Sequence, residues 1–377
     1  IEPSQGIRRG TVSDMDSAAQ SIARSIEKAE RTSGYEINSA LVSLAGSHVT
    51  SMNSRGVVGI SGRVIDQDDV YRALDSAQAV AVPHDREIIH VIQRGFTIDG
   101  QNGIRKPIGM HGFRMEVEAH IITASATAVE NLRQCVSQAG IQVSQFVLNP
   151  LAAGEMVLSD SERAMGVAVV DLGGGTTNLA IYIDGDVWYT NVLNFGSSHV
   201  TSDIAQGLRL PVEVAEEVKL HHGYAVLEEI PEDESFNIVS FGSEQSRKVS
   251  RRELTDIIEA RVEEIFMLVH KEIKRSGYDG MLPAGLVLTG GGSLLPGIRK
   301  LATRVTGLPA RIGKPEKMVG LTDQISSPAF ATSVGLLQWA ILMSESNQLA
   351  SEHSGKTKKQ LDIKAEKIKS WFGKLLP

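Results

Sequence analysis

Apolar and polar positions alternate along this chain with a period that changes repeatedly between that of a helix and that of a strand. Met15, Ala18, Ala19, Ile22, Ile26 and Ala29 recur on one helical face, so a helix is predicted over 13–31, with Ser13 as its N-cap and Gly34 as its stop. Ala40–Ala45 reads as a buried strand. From Asn53 the character shifts: Val57–Ile60 and Ile88–Phe96 read as strands, and Phe113–Thr123 alternates through Met115, Val117, Ala119 and Ile121. Asp66 opens a helix over Asp66–Ala79, so residues 54–122 form a small α+β block. A helix over Ala126–Ala139 closed by Gly140, a strand at Val143–Val147 and a helix at Leu151–Leu158 complete the first half.

The second half opens with a hairpin at 167–190. Helices at Val200–Leu208 and Val212–His221 are separated by Leu210-Pro211, and residues 223–250 alternate like short surface strands. Ser250-Arg251-Arg252-Glu253 has the form of a capping box for a helix to Lys274. Leu286–Leu288 returns to the core, followed by helices at Pro296–Val305 and Ala331–Met343. Strands alternating with helices define an α/β fold.

Two glycine-rich loops carry the candidate chemistry. Asp171-Leu172-Gly173-Gly174-Gly175-Thr176-Thr177 follows the apolar run Val167–Val170, and Thr289-Gly290-Gly291-Gly292-Ser293 follows Leu286–Leu288. Each sits where a strand ends in a turn, and glycine lets backbone N–H groups come close to an anion. Thr176 and Thr177 add hydroxyls, and Asp171 adds a carboxylate able to hold a metal through water. Singly, either loop is also what an ordinary turn looks like; together they have the form of a phosphate clamp. No G-x-x-x-x-G-K-[ST] motif occurs. After Thr177 the run Asn178–Ile183 ends in Asp184-Gly185, so the first loop is the bend of a β-hairpin.

Composition narrows the classes. The 377 residues suffice for two or more domains, and a net charge of −7 argues against a nucleic-acid partner. Cys135 is alone, which excludes an internal disulfide and fits a reducing, cytosolic setting. The spacing of His48, His84, His90, His111 and His120 fits no metal-ligand motif. No apolar run approaches the ~20 residues of a membrane span.

The C-terminus is different. Residues 344–360 are polar and read as a disordered linker. On a helix over 361–377, Leu361, Ala365, Ile368, Phe372, Leu375 and Leu376 share one face with Trp371 at its edge, flanked by lysines. That is the pattern of a helix lying in a membrane interface; a helix docking on the body or on a partner is the alternative.

The hairpin phosphate loop and the Thr-Gly-Gly-Gly segment resemble the second phosphate and adenosine motifs of the actin, sugar-kinase and heat-shock-chaperone ATPase superfamily. Ser54–Val58, Val64–Val70, Asp85–Ile92 and Pro107–Met110, with the amphipathic tail, resemble the FtsA family of bacterial cell-division proteins. The resemblance implies an actin-like two-lobed ATPase fold of ribonuclease H-like subdomains with an inserted subdomain. Its expected parts are a first lobe (1–53 plus 123–165), the insert (54–122), a second core lobe (166–212 plus 286–343) and an upper, partner-binding subdomain (213–285). ATP and Mg²⁺ are the implied cofactors. Asp171 would stand near Mg²⁺, Gly173, Gly174, Gly175, Thr176, Thr177 and Asn178 at the phosphates, and Gly290, Gly291, Gly292 and Ser293 against the adenosine. Glu217 and Lys219 match positions flanking the ribose and base, although an ordinary solvated charge pair has the same spacing. Asn149–Ala153 and Pro328–Gly335 match the two connecting helices.

The resemblance also implies partners. They are the acidic, apolar C-terminal peptide of FtsZ, received at Arg247 and Arg261, further copies of the chain in protofilaments, other division proteins, and an anionic inner-membrane surface. Ile368, Trp371, Phe372, Leu375 and Leu376 would meet that surface. Two departures stand out. The family's first phosphate loop, Asp-x-Gly-Thr, has no counterpart from Ile1 onward, and the expectation is a sequence that begins inside the protein. Asn149 takes the water-orienting place where relatives carry Glu or Gln, which implies slow or negligible ATP turnover. A PilM-like scaffold of pilus assembly and a small-molecule kinase of the same superfamily are the alternatives.

Overall fold

The computed structural model describes residues 1–79, 82–239, 241, 245–316 and 325–353. The chain starts with a small hairpin, β1 (Ile7–Arg8) and β2 (Thr11–Val12), then α1 (Met15–Ser33) and β3 (Ser39–Leu44). The cap of α1 is Asp14 rather than Ser13. Asp14 accepts from Ser17 N at 3.1 Å, whereas the Ser13 hydroxyl is turned back to Gly6 O. Gly34, left-handed at φ 75°, ends the helix as expected.

The insert follows: β4 (Val49–Val64), α2 (Gln67–Gln78), β5 (Arg86–Ile98), β6 (Gln101–Ile104) and β7 (His111–Ser125). They form an antiparallel sheet in the order β4-β7-β5-β6, with α2 packed on one face. Its inward residues, including Val58, Ile60, Phe96, Met115 and Val117, close a core of their own with Val70 and Leu74 of α2. Val49 already pairs with Ala124, so the sheet begins before the expected boundary at residue 54.

The chain then returns through α3 (Ala126–Gln138), β8 (Gln142–Leu148), α4 (Asn149–Val157) and α5 (Asp160–Met165), with β8 parallel to β3. The second lobe starts with β9 (Val167–Leu172), β10 (Thr177–Ile183) and β11 (Asp186–Leu193), so the expected hairpin is a three-stranded meander. Next come α6 (Ser197–Leu208), α7 (Val212–His222), the antiparallel pair β12 (Ser235–Val239) and β13 (Ser246–Ser250), and α8 (Arg251–Ser276). Ser250 caps α8 through Arg252 N at 3.2 Å, in place of the expected box with Glu253. The body closes with β14 (Leu286–Thr289), α9 (Ile298–Thr306), β15 (Ala310–Ile312) and α10 (Ala331–His353). The helical backbone of α10 runs ten residues past Met343, into the stretch expected as disordered linker. That stretch carries no Gly or Pro before Gly355, and extending an existing helix is far cheaper than starting one. The tail residues Ile368, Trp371, Phe372, Leu375 and Leu376 lie outside the described residues, as does the rest of the linker.

The second-lobe sheet, β11-β10-β9-β14-β15, is covered on both sides, which is why β9 and β10 read as unbroken apolar runs. Ala168, Val170, Leu179 and Ile181 face the helices α6–α9. Val167, Val169, Ala180 and Tyr182 face α4, α10 and the first lobe. α4 and α10 cross in close contact because residue 335 is Gly; a Cβ there would strike the carbonyl of Ala152. The insert also touches the second lobe. Ser51 Oγ donates to Thr190 O at 2.8 Å, His120 Nε2 and Thr190 Oγ1 share a 3.0 Å bond, and the Arg94 guanidinium lies 3.7 Å from the Trp188 ring centre. Arg105 donates to Asp184 O.

Candidate functional site

The two glycine loops leave neighbouring parallel strands at their C-terminal ends, with Thr289 in register with Asp171. In open α/β sheets ligands bind at that edge. The loops are packed on each other. Gly290 adopts φ 80°, and a Cβ on it would strike Asp171 Oδ1 and stand 2.6 Å from Leu172 O. Gly292 is similarly pressed on Leu172 O. The first loop is braced from behind by α6, whose Ser197 N and Ser198 N donate to Gly173 O (3.0 Å) and Gly174 O (2.8 Å). Those carbonyls are thereby turned into the protein.

Gly174 and Gly291 have no such internal reason to be glycine. A Cβ on Gly174 would meet only Ser198 Oγ at 3.4 Å, and one on Gly291 only Ala329 Cβ at 3.9 Å. Neither has positive φ. Both offer bare backbone to the space outside the loops.

Asp171 lies below them, 5% exposed. Its carboxylate accepts from Asn178 Nδ2 at 3.1 Å and Thr332 Oγ1 at 3.4 Å, and from the Asn149 side chain. All are neutral donors. Burial therefore prevails and pushes the carboxyl up to about 6, against the opposing pull of these bonds. The Oδ1 atoms of Asn149 and Asn178 are buried without a partner. A buried carboxylate with no counter-charge, orphaned acceptors and two glycines open to the outside fit a phosphate-bearing ligand with a hydrated divalent cation. Among the described residues no three His, Cys, Asp or Glu side chains gather to hold a metal directly.

The remaining sequence-predicted residues divide. Thr176 and Thr177 are both buried, and the Thr177 hydroxyl is spent on Phe195 O at 2.7 Å. Ser293 Oγ likewise closes its own turn on Gly290 O. Glu217 is exposed on α7, two residues from the buried Lys219, so the two do not form a solvated pair. Lys219 Nζ bonds Glu216 Oε2 (2.7 Å), Thr201 Oγ1 (2.8 Å) and Ser197 O (3.4 Å), which ties α7 to the helix bracing the phosphate loop. Arg247 lies on the outer strand β13 and donates to Leu208 O at 2.9 Å. Arg261 is held by Asp203 of α6 at 2.5 and 3.1 Å and by Glu264, and the Asp203 carboxylate raises its pKa. Thr332, within the Pro328–Gly335 stretch, is a partner of Asp171 that the sequence reading did not single out. It reaches Asp171 from 161 residues away, and no local pattern marks it.

Two lobes joined by crossing helices, with glycine loops at adjacent strand ends, define an actin-like ATPase fold. Among solved structures the PilM–PilN type IV pilus biogenesis complex aligns with a TM-score of 0.62 at 17% identity, covering 89% of this chain and 88% of that one. MreB5 of Spiroplasma citri bound to ADP aligns with a TM-score of 0.57 at 15% identity, covering 91% and 80%. At such identities the likeness concerns the fold alone. Sequence carries it further. Residues 168–335 match the family model for cell division protein FtsA, and residues 46–123 match that for the SHS2 domain inserted in FtsA. Cell division protein FtsA of Pseudomonas aeruginosa is 39% identical over 372 residues, covering 98% of this chain and 89% of that protein. That of Borreliella burgdorferi is 42% identical over 374 residues (98% and 90%), and that of Escherichia coli 36% over 344 (89% and 82%). The chain belongs to the FtsA family of cell-division proteins.

Proposed function

We propose that this chain binds ATP with Mg²⁺ between its lobes, polymerises as an actin-like protofilament, and tethers FtsZ filaments to the cytoplasmic membrane at the division site. The observation that carries the reading is the pair of strand-end glycine loops, with Gly174 and Gly291 open to the outside above a buried, uncompensated Asp171.

The geometry supports the following roles. Gly174, Gly175 and Thr176 would hold the phosphates by backbone N–H groups and one hydroxyl, whereas the Gly173 N–H is spent on Thr176 O at 2.9 Å. Gly290–Ser293 would cover the adenosine, with Glu217 at its ribose edge. Asp171 would hold Mg²⁺ through water, and the cation would neutralise phosphate charge. Asn149, beside Asp171, offers a carbonyl oxygen to a water but no base. We therefore read the nucleotide as a structural ligand that is turned over slowly, and a higher single-turnover rate in Asn149→Glu is expected. Arg247 on β13 and Arg261 on α8 would meet an acidic FtsZ peptide, Arg261 by exchanging its ion pair with Asp203. Residues 361–377, apolar on one face and flanked by lysines, are the proposed peripheral anchor; no helix of the described residues is long and apolar enough to cross a membrane.

Co-sedimentation with anionic vesicles tests this, with ATP and an FtsZ C-terminal peptide present. The intact chain should pellet with the vesicles and carry the peptide down, and a chain ending at residue 360 should do neither. If both chains stay in the supernatant, the anchor reading is lost and segment 361–377 is a docking helix.

A further inference from the structure

One element of the first lobe crosses to the phosphate loop. In the β1–β2 hairpin Ile7 pairs with Val12 and Arg8 with Thr11, leaving Arg9 and Gly10 as a two-residue turn. Their φ values of 49° and 75° give the type I′ geometry, which favours Asn, Asp or Gly at the position held by Arg9. An arginine there is strained, and such strain persists only where surrounding contacts impose it. The contacts are present. Gly6 O accepts from Ser13 N at 2.8 Å and Asp14 N at 3.1 Å, which fixes the hairpin to the start of α1. Gly10 is pressed so tightly on the Ala45 carbonyl that no Cβ fits.

On its far side the turn meets the second lobe. Arg9 N and Cα lie 3.1 Å from the point a Cβ on Gly175 would occupy, and Arg9 Cγ lies 3.9 Å from it. A side chain on Gly175 would thus crowd the Arg9 backbone. The arginine is exposed, and no carboxylate is within ion-pair distance of it among the described residues. A cation held in a strained turn against a phosphate loop, with its guanidinium unspent, is placed to take a charged oxygen from outside the chain. The guanidinium fork suits phosphate.

We infer that Arg9 reads the terminal phosphate of the bound nucleotide, so that the site prefers a nucleoside triphosphate to a diphosphate and draws the first lobe onto the second when the triphosphate is present. The inference rests on the ATP reading above. Calorimetric titration of the full chain with Mg-ATP and with Mg-ADP tests it. The variants are Arg9→Ala, Arg9→Gly and, as a neighbouring charge control, Arg8→Ala. Loss of a charge-assisted bond should weaken ATP binding by about tenfold or more in both Arg9 variants, leave ADP binding within about threefold, and spare Arg8→Ala. Glycine suits the left-handed turn, so Arg9→Gly should melt no lower than the parent, which separates loss of the contact from loss of the fold. An unchanged ratio of ATP to ADP affinity, or an equal loss in Arg8→Ala, overturns the inference and leaves the site standing. No binding of either nucleotide by the parent chain overturns the ATP reading and the inference with it.

Discussion

Two aspartates are buried almost equally, 0% exposed for Asp69 in the insert and 5% for Asp171 in the second lobe, in opposite surroundings. Asp69 accepts from Asp66 N at 3.1 Å, from Arg63 at 2.7 and 2.8 Å, and from Arg72. Burial pushes its carboxyl up, but the Asp66 N–H and the two guanidinium groups outweigh it and bring it down to about 2. Asp171 has only amide and hydroxyl donors, and burial carries it up to about 6. The insert completes its own electrostatics. The second lobe leaves a buried carboxylate incomplete, and that cost is tolerated where a ligand or cation supplies the missing charge.

The sharpest way to break the contrast is at Gly290. Gly290→Val combines φ 80° with a collision against Asp171 and the Leu172 carbonyl. A loss of about 4 kcal/mol in thermal or urea unfolding is expected, together with loss of nucleotide binding. Parent-like stability would mean that the loops are not locked together as described.

Asp69→Asn comes next. Arg63 and Arg72 are about half exposed, so solvent screening holds the expected loss near 2 kcal/mol at neutral pH, below that of a fully buried pair. The pH dependence has a definite sign. Folding depresses the Asp69 pKa, so its contribution is complete above the unfolded value of about 4 and disappears as pH falls toward about 2. Urea unfolding of parent and variant should therefore differ at pH 7 and converge near pH 2.

Asp171→Asn should have the opposite sign. Removing an uncompensated buried charge should stabilise the nucleotide-free chain by about 1 kcal/mol at pH 7, while Mg²⁺ ceases to strengthen nucleotide binding. A destabilisation as large as that of Asp69→Asn would erase the distinction between the two sites. Arg55→Ala sets the baseline. Its side chain is 61% exposed and bonds Glu118 at 2.7 Å, so its removal should leave the midpoint of urea unfolding unchanged.

Much of this was legible in the sequence where a local pattern imposes local geometry. The glycine loops, the period-two strands of the insert and the Asp66 cap depend on neighbours a few residues away. Helix ends were less secure where two adjacent residues can both cap, as with Ser13 and Asp14, or where a polar stretch lacks breakers, as after Met343. The partners of Asp171 show the harder limit. Asn178 lies within its own motif, whereas Thr332 arrives from a distant helix whose approach is set by the Gly335–Ala152 crossing. The β1–β2 turn carried a faint signal, an Arg-Gly pair between β-branched residues, but nothing local said what it would touch.

The insert leaves and rejoins its host lobe at one place. Val49 and Ala124 are register partners, and Ser125 N donates to His48 O. A module plugged in through a single doorway can be exchanged, enlarged or deleted by one splice without rethreading the lobe that carries it. Any replacement would inherit obligations across the doorway, to Thr190, Trp188 and the carbonyl of Asp184 in the second lobe and to Arg133, Leu148 and Trp339. Those positions therefore mark where evolution or an engineer must match a new module to the old body.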